Sequence, residues 1–143
     1  MTNSTQQITD ATISPSRAVA FAGAISPRFV LRLDAAVSGA NGVAYLVAAG
    51  PLGELLGLSP ELLRVLGGVL IAFAAAAWLG ASRGAGRAVL LAFAGANAAW
   101  ATASIVVAIA GWGSPSVAGT VWIVAQALVV AAFAELQAIS ARR

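Results

Sequence analysis

The sequence predicts an all-α integral membrane protein, a four-helix bundle built as two parallel-repeat helix hairpins. Three observations lead there. Sixty per cent of the 143 residues are hydrophobic and only 9% are charged, whereas a soluble domain of this size carries a far richer charged surface. The apolar residues fall into four runs of about membrane-spanning length. Finally, the arginines collect at one end of those runs, as cytoplasmic loops require.

In chain order, residues 1–27 are rich in Ser, Thr and Gln and include Pro15 and Pro27, which suits a polar cytoplasmic tail. Ala18 to Ile25 is apolar but too short to span. A leader cleaved near Ala22-Gly23-Ala24 would have only Arg17 in its basic region, so an uncleaved tail is the better reading. Residues 28–143 then form the membrane domain.

The first span is expected over about 29–50, broken by Pro51 and Gly53. Its roughly 22 residues reach about 33 Å, enough to cross the hydrocarbon core. After an outer loop containing Glu54, Ser59-Pro60-Glu61 offers a serine cap, a proline at the first helical position and an acid in the first turn. A second span over about 61–82 follows. The short turn Arg83-Gly84-Ala85-Gly86-Arg87 makes spans two and three antiparallel neighbours. The third span covers about 87–111, and Ser114-Pro115 is expected to cap the fourth, at about 116–139. Arg17, Arg28, Arg32, Arg83, Arg87, Arg142 and Arg143 lie on one side and only Arg64 on the other. Both termini are therefore expected in the cytoplasm, with the protein in the plasma membrane.

The halves resemble each other. Arg28 and Arg32 match Arg83 and Arg87 at an offset of 55, Gly39-Ala40-Asn41 matches Gly95-Ala96-Asn97 at 56, and Ser59-Pro60 matches Ser114-Pro115 at 55. Spans one and three both run outward, so the repeat is parallel.

Several polar residues fall inside the spans. Asp34, Ser38, Asn41 and Tyr45 share one face of the first. Asn97, Trp100 and Ser104 continue the pattern in the third, and Trp122, Gln126, Phe133 and Gln137 in the fourth. Asn41, Asn97 and Gln126 lie about ten residues from a helix end, hence near the midplane. With Tyr45, Trp100 and Trp122 they are candidates for a polar pocket. Alternatively, the amides hydrogen-bond between helices and fix register, at about 0.6–2 kcal/mol each. Arg32, Asp34 and Glu135 are the buried-charge candidates, and pairing of an acid with Arg32, Arg83 or Arg87 is the expected arrangement. Gly68, Ala72, Ala76 and Gly80 form a ladder of small side chains, read as an inward packing seam. Trp78 and Trp112 suit interfacial anchoring.

The chemistry that is missing narrows function. The chain has no cysteine and no histidine, which removes disulfides, Cys/His nucleophile sets and the usual haem ligands. Five scattered carboxylates do not make a metal site, and the glycine-rich turn lacks the length and lysine of a phosphate loop. No cofactor is expected, nor nucleic acid, since no basic stripe accompanies the net charge of +3.

Arg32-Leu33-Asp34, the two Gly-Ala-Asn triplets and the Ser-Pro pairs make residues 28–140 resemble the small, uncharacterised four-helix membrane proteins of high-GC bacteria. That resemblance implies a fold and a membrane rather than an activity. Small multidrug-resistance transporters are similar in size, but their first helix carries a membrane-embedded glutamate where this chain has Asn41. The leading expectation is a non-enzymatic multipass protein acting through helix–helix contacts, as an accessory subunit or a homo-oligomer, with membrane lipids around it. A small-solute transporter or channel with a midplane amide pocket, or a lipid or hydrophobic-ligand binder, are the alternatives.

Overall fold

A computed structural model describes residues 25–143. The described chain is all-α, with helices α1 (Pro27–Val47), α2 (Ala49–Leu56), α3 (Pro60–Ser82), α4 (Arg87–Ala110) and α5 (Val117–Ser140). Helices α3, α4 and α5 are each long and apolar enough to cross a membrane, while α1 and α2 reach that measure only together, across a 96° bend. Arg32, Asp34 and Asn41 are what interrupt the hydropathy of α1.

Helix α1 begins at Pro27, two residues earlier than expected. Ser26 is the cap, its Oγ accepting the Phe29 N–H at 3.2 Å, and proline fits the first helical position because its missing N–H would have no partner there. The other end also differs from expectation. The helix stops at Val47, and Pro51 lies within the first turn of α2 rather than at the break. The cause is still Pro51: its ring would strike the carbonyl four residues back, which belongs to Val47, if one helix ran through both. The expected outer loop is consequently mostly helical. It ends at Gly57, whose φ of 69° makes a left-handed cap.

Ser59 caps α3 as expected, accepting from the Leu62 N–H at 3.2 Å. The matching pair in the second half behaves differently. Ser114 has a φ of 53°, Pro115 precedes the helix, and it is Ser116 that caps α5 by accepting from the Gly119 N–H at 3.0 Å.

Backbone packing is closest within two helix pairs, α1 with α3 and α4 with α5. Between α1 and α3 the contact centres on Gly42 and Gly67. A Cβ on either would lie 2.9 Å from the other's carbonyl oxygen, so only glycine lets the backbones approach this closely. Antiparallel α3 and α4, joined by the turn at 83–86, touch through larger groups. Phe73 and Phe93 meet edge to face with centroids 5.2 Å apart, and Val89 lies over Gly80.

The expected inward ladder on α3 is displaced by one residue. Gly67, Leu70, Ala74, Ala77 and Ala81 are buried, whereas Ala72 and Ala76 are exposed and a Cβ on Gly68 would meet nothing within 4 Å. Only Gly80 of the four faces a neighbour. One step along a helix turns a side chain by about 100°, so a small-residue stripe read one position out of phase describes a different face.

Two buried clusters close the ends. Leu31, Ala81, Ala85, Leu90 and Ala141 pack at the arginine-rich end. Tyr45, Ala49, Leu63 and Leu70 pack at the other, flanked by Leu52, Leu58, Leu66 and Trp100. At that second end α2 is pinned to α5: the Ser116 N–H donates to the Leu56 carbonyl at 2.9 Å and Ser116 Oγ to the Leu55 carbonyl at 2.7 Å. Gly57 and Gly119 line this joint, and a Cβ on either would run into the facing backbone.

Candidate functional site

Between the two helix pairs lies a half-open cavity of about 650 Å³, bordered by α1, α3, α4 and α5. Its volume is in the range of small-molecule sites. The walls are mainly aliphatic and aromatic and include Val37, Val69, Leu70, Phe73, Trp100, Trp122, Val129 and Val130, with Ala40, Ala96 and Ala125 between them. Four polar side chains interrupt them: Ser38 and Asn41 from α1, Asn97 from α4 and Gln126 from α5.

These four belong to two hydrogen-bonded groups. In the first, Asn41 Nδ2 donates to Gln126 Oε1 at 2.9 Å. Gln126 Nε2 donates to the Tyr45 hydroxyl, which also accepts from Trp122 Nε1 at 2.8 Å. This group ties α1 to α5 across the cavity. Helical spacing creates it: Asn41 and Tyr45 are one turn apart on α1, as Trp122 and Gln126 are on α5.

The second group surrounds Asp34, which is wholly buried. Ser38 Oγ donates to Asp34 Oδ1 at 3.2 Å, while Asn97 Nδ2 and Gln137 Nε2 each donate to Oδ2 at 2.7 Å. Asn97 Nδ2 also donates to Gln137 Oε1 at 3.1 Å. Every bond to the carboxylate comes from an uncharged donor, so the expected pairing of Asp34 with an arginine gives way to an amide and hydroxyl cage. The reason is depth. Asn97 is the eleventh residue of α4, about 15 Å along it, so a carboxylate bonded to it lies beyond the arginines at the helix ends. Ser38 and Asn97 take part in both the cage and the cavity wall.

The sequence-predicted residues thus divide. Asn41, Asn97, Gln126, Trp100 and Trp122 do border one cavity, and Tyr45 stands behind it as a shared acceptor. Of the three buried-charge candidates only Asp34 is buried. Arg32 is exposed and lies over the Trp78 ring, 5.6 Å from its centroid, and Glu135 is exposed as well. Long side chains near a helix end reach the interface easily, and burial without a partner is costly.

Gln137 lies on the same polar face as Gln126, eleven residues or three helical turns further on, but its place in the Asp34 cage is not visible from that spacing. The Ser116 joint had no signal apart from a serine three residues before a glycine. Among the described residues no group of three or more acids could hold a metal ion. No family model, curated protein or solved structure matches the chain.

Proposed function

We propose that this is a four-span plasma-membrane protein, with α1 and α2 together making the first, bent span and both termini in the cytoplasm. In this reading it binds a small, mostly apolar molecule carrying one neutral polar group, and does not transform it. The observation that carries the reading is the cavity: about 650 Å³ between two helix pairs, with apolar walls and a few convergent amides. Such a site rewards burial of a hydrophobic body and orients it through one polar contact. Uncharged amides and hydroxyls on its wall favour a neutral head, because an ion there would lack an opposite charge.

Retention tests this. Protein purified gently from its own membrane and extracted with organic solvent is expected to release one neutral amphiphile in near-stoichiometric amount. The double variant Ala96→Phe/Ala125→Phe, which fills the cavity, is expected to release none. Equal retention by both forms, or nothing retained by a folded wild type, would overturn the reading.

A second reading has its own observation. Gly68, Ala72 and Ala76 leave a shallow outward stripe on α3, where a helix of another subunit or a second copy could approach closely. Native mass spectrometry of the same material, showing a stable complex that Gly68→Leu disperses, would favour it.

A further inference from the structure

We propose that Asp34 is a proton-binding group whose charge state sets the polar face that Ser38 shows to the cavity, so that ligand binding is coupled to proton uptake. The proposal rests on the reading of the cavity as a ligand site and adds its regulation.

The geometry starts from shared residues. Asn97 spends both amide hydrogens on the cage, one on Asp34 Oδ2 and one on Gln137 Oε1. On the other side of the carboxylate, Ser38 spends its hydroxyl hydrogen on Oδ1, and Ser38 borders the cavity. With Asp34 ionised, all contacts to the carboxylate are donors, and Ser38 has only its oxygen lone pairs to offer the cavity.

When one proton is taken up from water onto Oδ1, the carboxylate becomes a neutral acid and Oδ1 becomes a donor. Oδ2 stays the acceptor that the Asn97 and Gln137 N–H groups require, so the amide cage is undisturbed. The Ser38 hydroxyl turns instead: its oxygen accepts from the new O–H, and its own hydrogen is freed toward the cavity as a donor. Ser38, which borders the cavity, also marks the route by which the proton arrives.

No other ionisable group shares this environment. On the elements packed around Asp34 these groups are Arg28 and Arg32 of α1, Glu54 of α2, Glu61 and Arg64 of α3, Arg83 after it, Arg87 of α4, and Glu135 with Arg142 and Arg143 at the end of α5. All are exposed. Tyr45 is buried, but it belongs to the Gln126 group. Within the described residues, a proton entering the buried polar interior therefore has one carboxylate to reach.

The test uses two brominated probes, 11-bromoundecanol and methyl 11-bromoundecanoate, whose bromine quenches tryptophan fluorescence. In detergent-solubilised full-length protein with Trp78→Phe and Trp112→Phe, the remaining emitters are Trp100 and Trp122, both on the cavity wall. The alcohol can donate to the Ser38 oxygen or accept from the Ser38 hydroxyl, and the ester can only accept. From pH 8 to pH 5 the Kd of the ester is expected to fall by about fivefold or more, and that of the alcohol to change by less than about twofold. Asp34→Asn is expected to abolish the ester's trend.

Should that variant not fold, a second keeps Asp34 and removes every other side-chain carboxylate: Asp10→Asn, Glu54→Gln, Glu61→Gln and Glu135→Gln together. The proposal requires it to retain the ester's trend, and loss of that trend would overturn the assignment to Asp34. Saturable quenching with pH-independent Kd values in the otherwise wild-type protein would overturn the coupling while the binding reading stands. Absence of saturable quenching at any pH would bring down both.

Discussion

Alanine at Gly67 and alanine at Gly68 differ by one position and should differ in sign. Both replacements remove the backbone freedom of a glycine in mid-helix, which favours the folded state by about 0.5–1 kcal/mol. At Gly68 the new methyl meets nothing within 4 Å, so that gain is the whole effect. At Gly67 the methyl would lie 2.9 Å from the Gly42 carbonyl oxygen, 2.9 Å from Leu46 Cγ and 3.1 Å from Tyr45 Cβ. Restoring ordinary contact moves α1 away by about half an ångström, and overpacking of that kind costs about 1–3 kcal/mol. The helix-propensity gain is common to both variants, so their difference isolates the packing cost. Thermal unfolding of the purified variants in one detergent reads it directly: Gly68→Ala above wild type, and Gly67→Ala below Gly68→Ala by roughly 3–10 °C. Equal or greater stability of Gly67→Ala would refute the close α1–α3 approach.

Three further outcomes follow from other parts of the molecule. Asn97→Ala removes two buried bonds and leaves Asp34 Oδ2 with Gln137 alone, so it should cost about 1–3 kcal/mol. Asn41→Ala, which removes one part-buried bond, should cost about 0.6 kcal/mol; the same unfolding assay would expose a reversed order. Ser116→Ala removes the α5 cap and the bond to Leu55, together about 2 kcal/mol, while Ser114→Ala should be close to neutral in parallel melts. The cysteine-free chain also allows single-site labelling: with an impermeant maleimide on intact cells, Glu61→Cys should react and Arg83→Cys should not until lysis. The opposite pattern would invert the orientation.

Much of the helical content was legible because long apolar runs and capping residues act locally. Ser59-Pro60 needs only the next turn to make its cap, and the start of α3 was read correctly. The break in the first span was misplaced because proline acts at a distance of four residues: Pro51 is visible in the sequence, but the helix ends at Val47. Ser114 failed as a cap for a similar reason, since the turn after α4 closes with Ser114 itself in a left-handed conformation. Amide spacing brought out Asn41, Asn97 and Gln126, which do border one cavity. It could not pair them, because Asn41 with Gln126 and Asn97 with Asp34 are joined across 85 and 63 residues. Those pairings depend on helix rotation and tilt, and intrachain periodicity does not contain either. The same lack of rotational phase placed the packing ladder on Gly68 instead of Gly67.

The Asp34 cage draws its donors from both halves of the chain, and that has a consequence for biosynthesis. On the proposed four-span arrangement, helices α1 and α3 enter the bilayer and pack before α4 and α5 exist, yet at that point Asp34 has only Ser38 as a side-chain donor from its own half. Asn97 and Gln137 arrive later. At common translation speeds the stretch from Arg87 to Gln137 takes about 3–10 s to make. For those seconds the buried acid of the nascent chain is short of two of its three side-chain donors, and a chain truncated before Gln137 never completes the cage. Such a chain carries its own mark of incompleteness, an under-solvated carboxylate that the finished fold does not have.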